Sequence, residues 1–189
     1  MITNTNFDVA FESGDYEQAR DIALQQLASR VPTREALAAF KLADDHHRLK
    51  LLHQLVSRFP ECFDAKQALI HELIHQRRGN VAFRECCNAL MTTCESKVQL
   101  LLRRARLSSA FQSGKSDYLV EDVKFISESD IPGAERVFDA VIGEFVAIQR
   151  PELRFSLALL AGQNWIDEDF RKVLISKQMQ LEYLESRKT

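Results

Sequence analysis

The segment His71-Glu72-Leu73-Ile74-His75 holds the residues with the sharpest chemical potential in this chain. On a helix, histidines four apart share one face and can grip Zn²⁺ between their imidazoles. The glutamate beside the first can then take a proton from metal-bound water as a general base. The spacing therefore raises zinc-dependent peptide hydrolysis as an alternative function, with His71 and His75 as ligands and Glu72 as base. A catalytic zinc needs a third protein ligand. The extended signature puts glycine three residues beyond the second histidine and another histidine three later. Here Arg78 occupies the first of those positions, and no histidine follows His75. Glu85 and Glu95 are carboxylates in the next segments, but neither stands in a matching ligand motif. The motif also flanks Leu69, Ile70, Leu73 and Ile74, an apolar stripe of helical period. His71 and His75 are accordingly expected as half-buried packing residues, and the chain is read as a non-enzyme with no catalytic residue, no metal and no cofactor.

A second group of residues suits recognition better than catalysis. Lys97 to Leu107 carries Val98, Leu101, Leu102 and Ala105 as an expected core stripe, with Arg103, Arg104 and Arg106 emerging beside it. Arg77, Arg78 and Arg84 belong to the preceding segment. Guanidinium forks match carboxylates in geometry and charge, so such a cluster fits an acidic peptide or a chain-terminal carboxylate. Nucleic acid fits poorly, because the cluster is small and has no interleaved aromatic platform. Overall the chain is near neutral, with 25 basic and 27 acidic side chains giving a formal charge of −2. The charges are not evenly spread: residues 1–60 hold 7 basic and 8 acidic groups, residues 61–115 hold 9 and 5, and residues 116–189 hold 9 and 14. A basic middle thus lies before an acidic final third, which provides either a binding face or internal charge complementarity.

Other chemistries lack their motifs. Cys62, Cys86, Cys87 and Cys94 form no C-x-x-C pair and read as small apolar residues in a reducing cytoplasm. No Gly-rich phosphate loop or serine elbow occurs. The N-terminal residues lack the charge and apolar run of a leader, and no stretch is apolar enough to span a membrane, so the expectation is a cytoplasmic protein without membrane association.

The elements that must position these residues are helices. Apolar residues make up 46 % of the 189, while Gly and Pro number only 6 and 4, too few to punctuate a many-stranded β-fold. Helical periodicity predicts runs beginning near Tyr16 and His47, ending at Pro32 and Pro60, then runs over about 64–77, 81–94, 97–112, 117–128, 134–148, 152–161 and 167–186. Joints of only a few residues make neighbouring helices antiparallel. The punctuation also recurs. Leu27-Ala28-Ser29-Arg30-Val31-Pro32 returns as Leu55-Val56-Ser57-Arg58-Phe59-Pro60, and Gly14-Asp15-Tyr16 leads to Pro32 as Gly114, Asp117 and Tyr118 lead to Pro132. Arg78-Gly79-Asn80 fills the same slot in between. In each slot a glycine is expected to supply a left-handed helix end, and a polar residue to cap the next helix.

On these residues the sequence resembles a tetratricopeptide-repeat protein. Ala10-Phe11-Glu12-Ser13-Gly14-Asp15-Tyr16-Glu17-Gln18-Ala19, followed by Leu27 and Pro32, looks like the family's inter-helix turn, small second-helix residue and terminal proline. The likeness implies an all-α stack of antiparallel helical hairpins in one domain over residues 1–189, clearest over 7–132, with residues 133–189 as divergent hairpins that cap the stack. It also implies a non-enzymatic adaptor, scaffold or chaperone that binds another protein or peptide in a concave groove lined by first helices. On this sequence that groove would present Lys66, Gln76, Arg77 and Arg104.

Overall fold

Proline and glycine interrupt the periodicity where the helices end. The computed structural model describes residues 45–187 together with positions 9–10, 12–15, 18–19 and 22, the side chains of 45–47 excepted. From Asp45 onward it contains eight α-helices: α1 (Asp45–Arg58), α2 (Phe63–His75), α3 (Gly79–Thr92), α4 (Ser96–Ser113), α5 (Leu119–Ser127), α6 (Ala134–Ala147), α7 (Arg154–Ala161) and α8 (Glu168–Ser186). A short 3₁₀ turn at Pro151–Leu153 leads into α7. No strand occurs among the described residues. The fold is all-α, and none of these helices is long and apolar enough to cross a membrane. Most of residues 7–32, where the quoted repeat residues fall, lies outside the described residues, but the turn there is present. Gly14 has φ +80°, and the Asp15 carboxylate accepts the Gln18 N–H at 3.1 Å, which is the expected helix end followed by an N-cap.

The chain divides into two units, Met1–Glu72 and Leu73–Thr189. In the first, α1 buries Leu49, Leu52 and Leu55 along one stripe, and α2 buries Ala65, Leu69 and Ile70. Phe59 is buried as well, ahead of Pro60, which stops α1. The second unit is built around α4, which packs on α3, α5 and α6. Its sequence suggests one apolar stripe, yet α4 buries Leu100, Leu102, Ala105, Leu107, Ala110 and Phe111, which face in several directions. A helix covered on most sides is central, and neighbours on three flanks explain the width of its buried surface. Beyond it α5 meets α6 and α7, while α8 meets α6 and α7.

Aromatic rings join these layers. Phe111 of α4 meets Phe145 of α6 edge-on at 4.8 Å between centroids, and Phe145 meets Phe170 of α8 at 5.4 Å. Such edge-to-face pairs contribute about 0.5–1.5 kcal/mol each beyond their burial. Trp165, in the joint before α8, packs against the same core.

Glycine plays two different parts at the joints. Gly114 closes α4 at φ +74°, as its slot predicts. Gly79 does not take a left-handed conformation. It is the buried first residue of α3, where an added Cβ would stand 2.7 Å from Gln112 Cβ and 2.9 Å from the Ser109 carbonyl. Close approach of α3 to α4 explains this glycine, and the left-handed turn has moved two residues upstream to Arg77.

Candidate binding site

The site grows out of the end of α2. The Arg77 N–H donates to the Ile74 carbonyl at 3.0 Å and the Arg78 N–H to the Leu73 carbonyl at 2.8 Å, the paired closure of a Schellman motif. That motif needs a left-handed residue at Arg77, which has φ +58° and is the sole non-glycine with positive φ among the described residues. An L side chain there costs about 1–2 kcal/mol relative to ordinary helical backbone. The geometry leaves the Arg77 side chain exposed, with no ion pair among the described residues.

Arg77 opens onto a groove of about 740 Å³ in the second unit, walled by the ends of α2, α4 and α6. Ile74, Phe111 and Ile148 supply apolar surface, and Gln112, Glu144 and Arg150 supply polar groups. Gln112, Glu144 and Arg150 are each fixed by a bond to a helix end or to a neighbouring side chain. Gln112 Nε2 donates to the Ile74 carbonyl at 2.9 Å, completing α2, and Arg150 Nη2 donates to the Gln112 carbonyl at 2.6 Å, completing α4. The carboxylate of Glu144 accepts the Ser108 hydroxyl and lies 3.8 Å from Arg104 Nη2. Two guanidiniums therefore line the groove against one carboxylate, and that carboxylate has a cation of its own. Its electrostatic character is basic, and its least committed charge is Arg77.

Of the residues expected to share one binding surface, Arg77 lies in this groove and Arg104 stands behind it through Glu144. Gln76 is half-buried at the end of α2, and Lys66 is half-buried on α2 in the first unit; neither lines the groove. Gln112, Glu144 and Arg150 were not apparent as site residues from the sequence. Gln112 and Glu144 lie in the last turn of their helices and Arg150 just beyond α6, placements that mark a helix end without identifying what that end faces.

Of the other expected surface cations, Arg78 and Arg84 are exposed, while Arg103 and Arg106 are turned inward. Arg106 is buried, not emergent: its Nε and Nη2 donate to the two carboxylate oxygens of Asp122 at 2.8 and 2.6 Å, and Asp122 is itself only 1 % exposed. Arg103 adds a third bond to Asp122 at 3.0 Å and one to Glu121 at 2.7 Å. Burial works against the charge on Arg106, but the hydrogen bonds and charge of Asp122 outweigh it and hold the guanidinium above its ordinary range. The Tyr118 ring covers the same guanidinium at 4.0 Å. Two cations of the basic middle and two carboxylates of the acidic end are thus used inside the second unit to join α4 to α5.

The H-E-x-x-H residues lie as a helix must place them, with the burial reversed from expectation. His71 and His75 are exposed, and Glu72 is the buried member at 7 % exposure, 3.5 Å from Arg48 of α1. A stripe of leucine and isoleucine claims the inner face, and Glu72 falls on its edge, where Arg48 neutralises it. Among the described residues no three His, Cys, Asp or Glu side chains converge as a metal site. His53 of α1 is exposed as well.

Compared with known proteins, this chain matches no family model, no curated protein and no solved structure. The functional reading therefore rests on the groove.

Proposed function

We propose that the chain is a non-enzymatic binding module, built as a tetratricopeptide-like stack of antiparallel helical hairpins, that captures an acidic peptide segment or chain-terminal carboxylate of another protein. The order of packing supports the stack. In the second unit α4, α6 and α8 follow one another in contact, as do α5 and α7, so alternate helices form two layers. The C-terminal ends of α2, α4 and α6 all reach one groove, as alternate members of successive hairpins do. Adaptor, scaffold and chaperone are all consistent with this mode.

The observation that carries the reading is Arg77: a cation without an ion pair among the described residues, held on strained backbone, at the mouth of a groove whose other charges are already engaged. Strain kept at an exposed position marks a residue whose side chain has a use outside the fold. Arg150 and the groove's apolar floor would seat the rest of a short segment with little rearrangement. The test is capture of partners from native lysate, then titration of the recovered complex with salt. Wild-type protein is expected to retain an acidic partner at low salt and release it as screening rises, and Arg77→Glu is expected to lose it with an unchanged circular dichroism spectrum. Retention by Arg77→Glu, or indifference to salt, would remove the groove from the argument.

A further inference from the structure

The last helix has two faces of different character. One buries Phe170, Leu174, Lys177 and Leu181 in the second unit, with the Lys177 ammonium donating to the Val146 carbonyl at the end of α6 at 2.7 Å. The opposite face carries Glu168, Lys172, Ile175, Met179, Glu182 and Ser186, every one exposed, at spacings that alternate four and three. That is the heptad spacing of a coiled-coil seam. Its centre is apolar, with Ile175 45 % and Met179 64 % exposed, and Tyr183 alongside is 58 % exposed. The charges that adjoin that centre are opposite in sign, Lys172 on one side and Glu182 on the other, while Glu168 lies beyond Lys172 and would fall opposite Ser186 in an antiparallel pair.

We infer that this seam is covered by the same seam of a second copy of the chain, α8 against α8 in antiparallel order, with the two-fold axis passing at the level of Lys177. The arrangement of charges selects both the occupant and the direction. About that axis Ile175 meets the partner's Met179, and Met179 meets the partner's Ile175, forming a continuous apolar centre. Lys172 then faces the partner's Glu182, and Glu182 faces the partner's Lys172, so both flanks close with opposite charges. Parallel pairing would set lysine on lysine and glutamate on glutamate, which is repulsive at both flanks. The present neighbours of these charges compete weakly: Lys172 holds exposed Asp169 at 3.3 Å, and Glu182 accepts from the amide of half-buried Gln178 at 2.9 Å. An isologous contact of this kind needs only one self-complementary patch, and this one is self-complementary in sequence. A single helix pair buries an area at the low end of specific interfaces, below roughly 1,200 Å², so the dimer forms and dissociates with concentration.

The experiment is sedimentation of the full chain across a dilution series from about 500 to about 5 µM, a range set by the affinity such a small interface supports. Wild-type protein is expected to pass from dimer to monomer within it. Met179→Lys is expected to be monomeric throughout with its thermal transition retained. Lys172→Glu is expected to be monomeric as well, and Lys172→Glu combined with Glu182→Lys to dimerise like the wild type, because the exchange restores both flanks. A wild-type chain that stays monomeric over the whole range, or that shifts only when a different protein is added, overturns the inference. A double exchange that fails to restore the dimer while keeping its thermal transition overturns the antiparallel register.

Discussion

Replacing Arg77 with glycine separates what this residue does for the fold from what it does for the groove. Glycine takes φ +58° without the 1–2 kcal/mol penalty of an L side chain, while its extra freedom in the unfolded chain takes back about 0.4–1 kcal/mol. The difference is a gain of about 0.5–1 kcal/mol for Arg77→Gly. No loss of packing opposes it, since the Arg77 side chain is exposed and has no ion pair among the described residues. Arg77→Ala keeps the Cβ and hence the strain, so it is expected to leave stability within about 0.5 kcal/mol of wild type, as exposed substitutions do. For a chain of this size the glycine variant is expected to melt about 1–4 °C higher. Both variants remove the same guanidinium from the groove, and both are expected to lose the acidic partner. Differential scanning calorimetry and partner capture on the same three proteins give the two readouts. A glycine variant less stable than the alanine variant would refute the backbone argument, and either variant binding like wild type would refute the role given to the side chain.

Other perturbations probe the supports of the second unit. Gly79→Ala forces a Cβ to within 2.7 Å of Gln112 Cβ and 2.9 Å of a backbone oxygen, and is expected to cost about 1–3 kcal/mol in chemical denaturation. Asp122→Ala leaves the buried Arg106 guanidinium without its carboxylate and is expected to cost about 3–5 kcal/mol, whereas Arg106→Met with Asp122→Leu is expected to recover most of that loss. Burial pushes the Cys86 thiol from its ordinary value of 9.0 up to about 12. The folded protein therefore holds this proton more tightly than the unfolded chain, so the associated stability is full below about pH 9 and lost as pH rises from there toward 12. Cys86→Ala is expected to shallow the alkaline decline in melting temperature. At neutral pH a thiol reagent is expected to label exposed Cys94 rapidly and to leave Cys86 protected until the chain unfolds. His71→Ala is expected to leave folding intact, and elemental analysis of the purified chain to find less than stoichiometric zinc; a full equivalent of zinc lost with that substitution would reinstate the hydrolase reading.

Helix positions were legible in the sequence because period and punctuation agree. The run expected over 97–112 is α4 at Ser96–Ser113, and that over 167–186 is α8 at Glu168–Ser186. What could not be read is anything set by a partner distant in the chain. Arg106 has the composition of a surface cation, and its burial depends on Asp122, 16 residues away on another helix. Gly79 shows the same limit: the sequence marks a turn, but the glycine packs against Gln112 of another helix, and Arg77 takes the left-handed backbone. For the groove, Arg77 was a candidate through the repeat likeness, which named it together with Lys66, Gln76 and Arg104. Its walls came from three helix ends whose convergence no local pattern encodes.

The bonds that complete these helix ends all run backward along the chain. Arg150 supplies a donor to the end of α4 from 38 residues downstream, Lys177 to α6 from 31 and Arg171 to α7 from 10, while at α2 Gln112, 38 residues downstream, adds a second donor to a carbonyl that the Arg77 N–H already meets. During synthesis, which proceeds from the N-terminus, no helix in this series can be finished when it emerges from the ribosome. Local backbone bonds close each final turn, but one end carbonyl waits for the element carrying its side-chain donor to emerge. Folding would thus trail translation by about one helical pair, and a nascent chain stalled before Lys177 would hold α6 with its Val146 carbonyl still waiting for that donor.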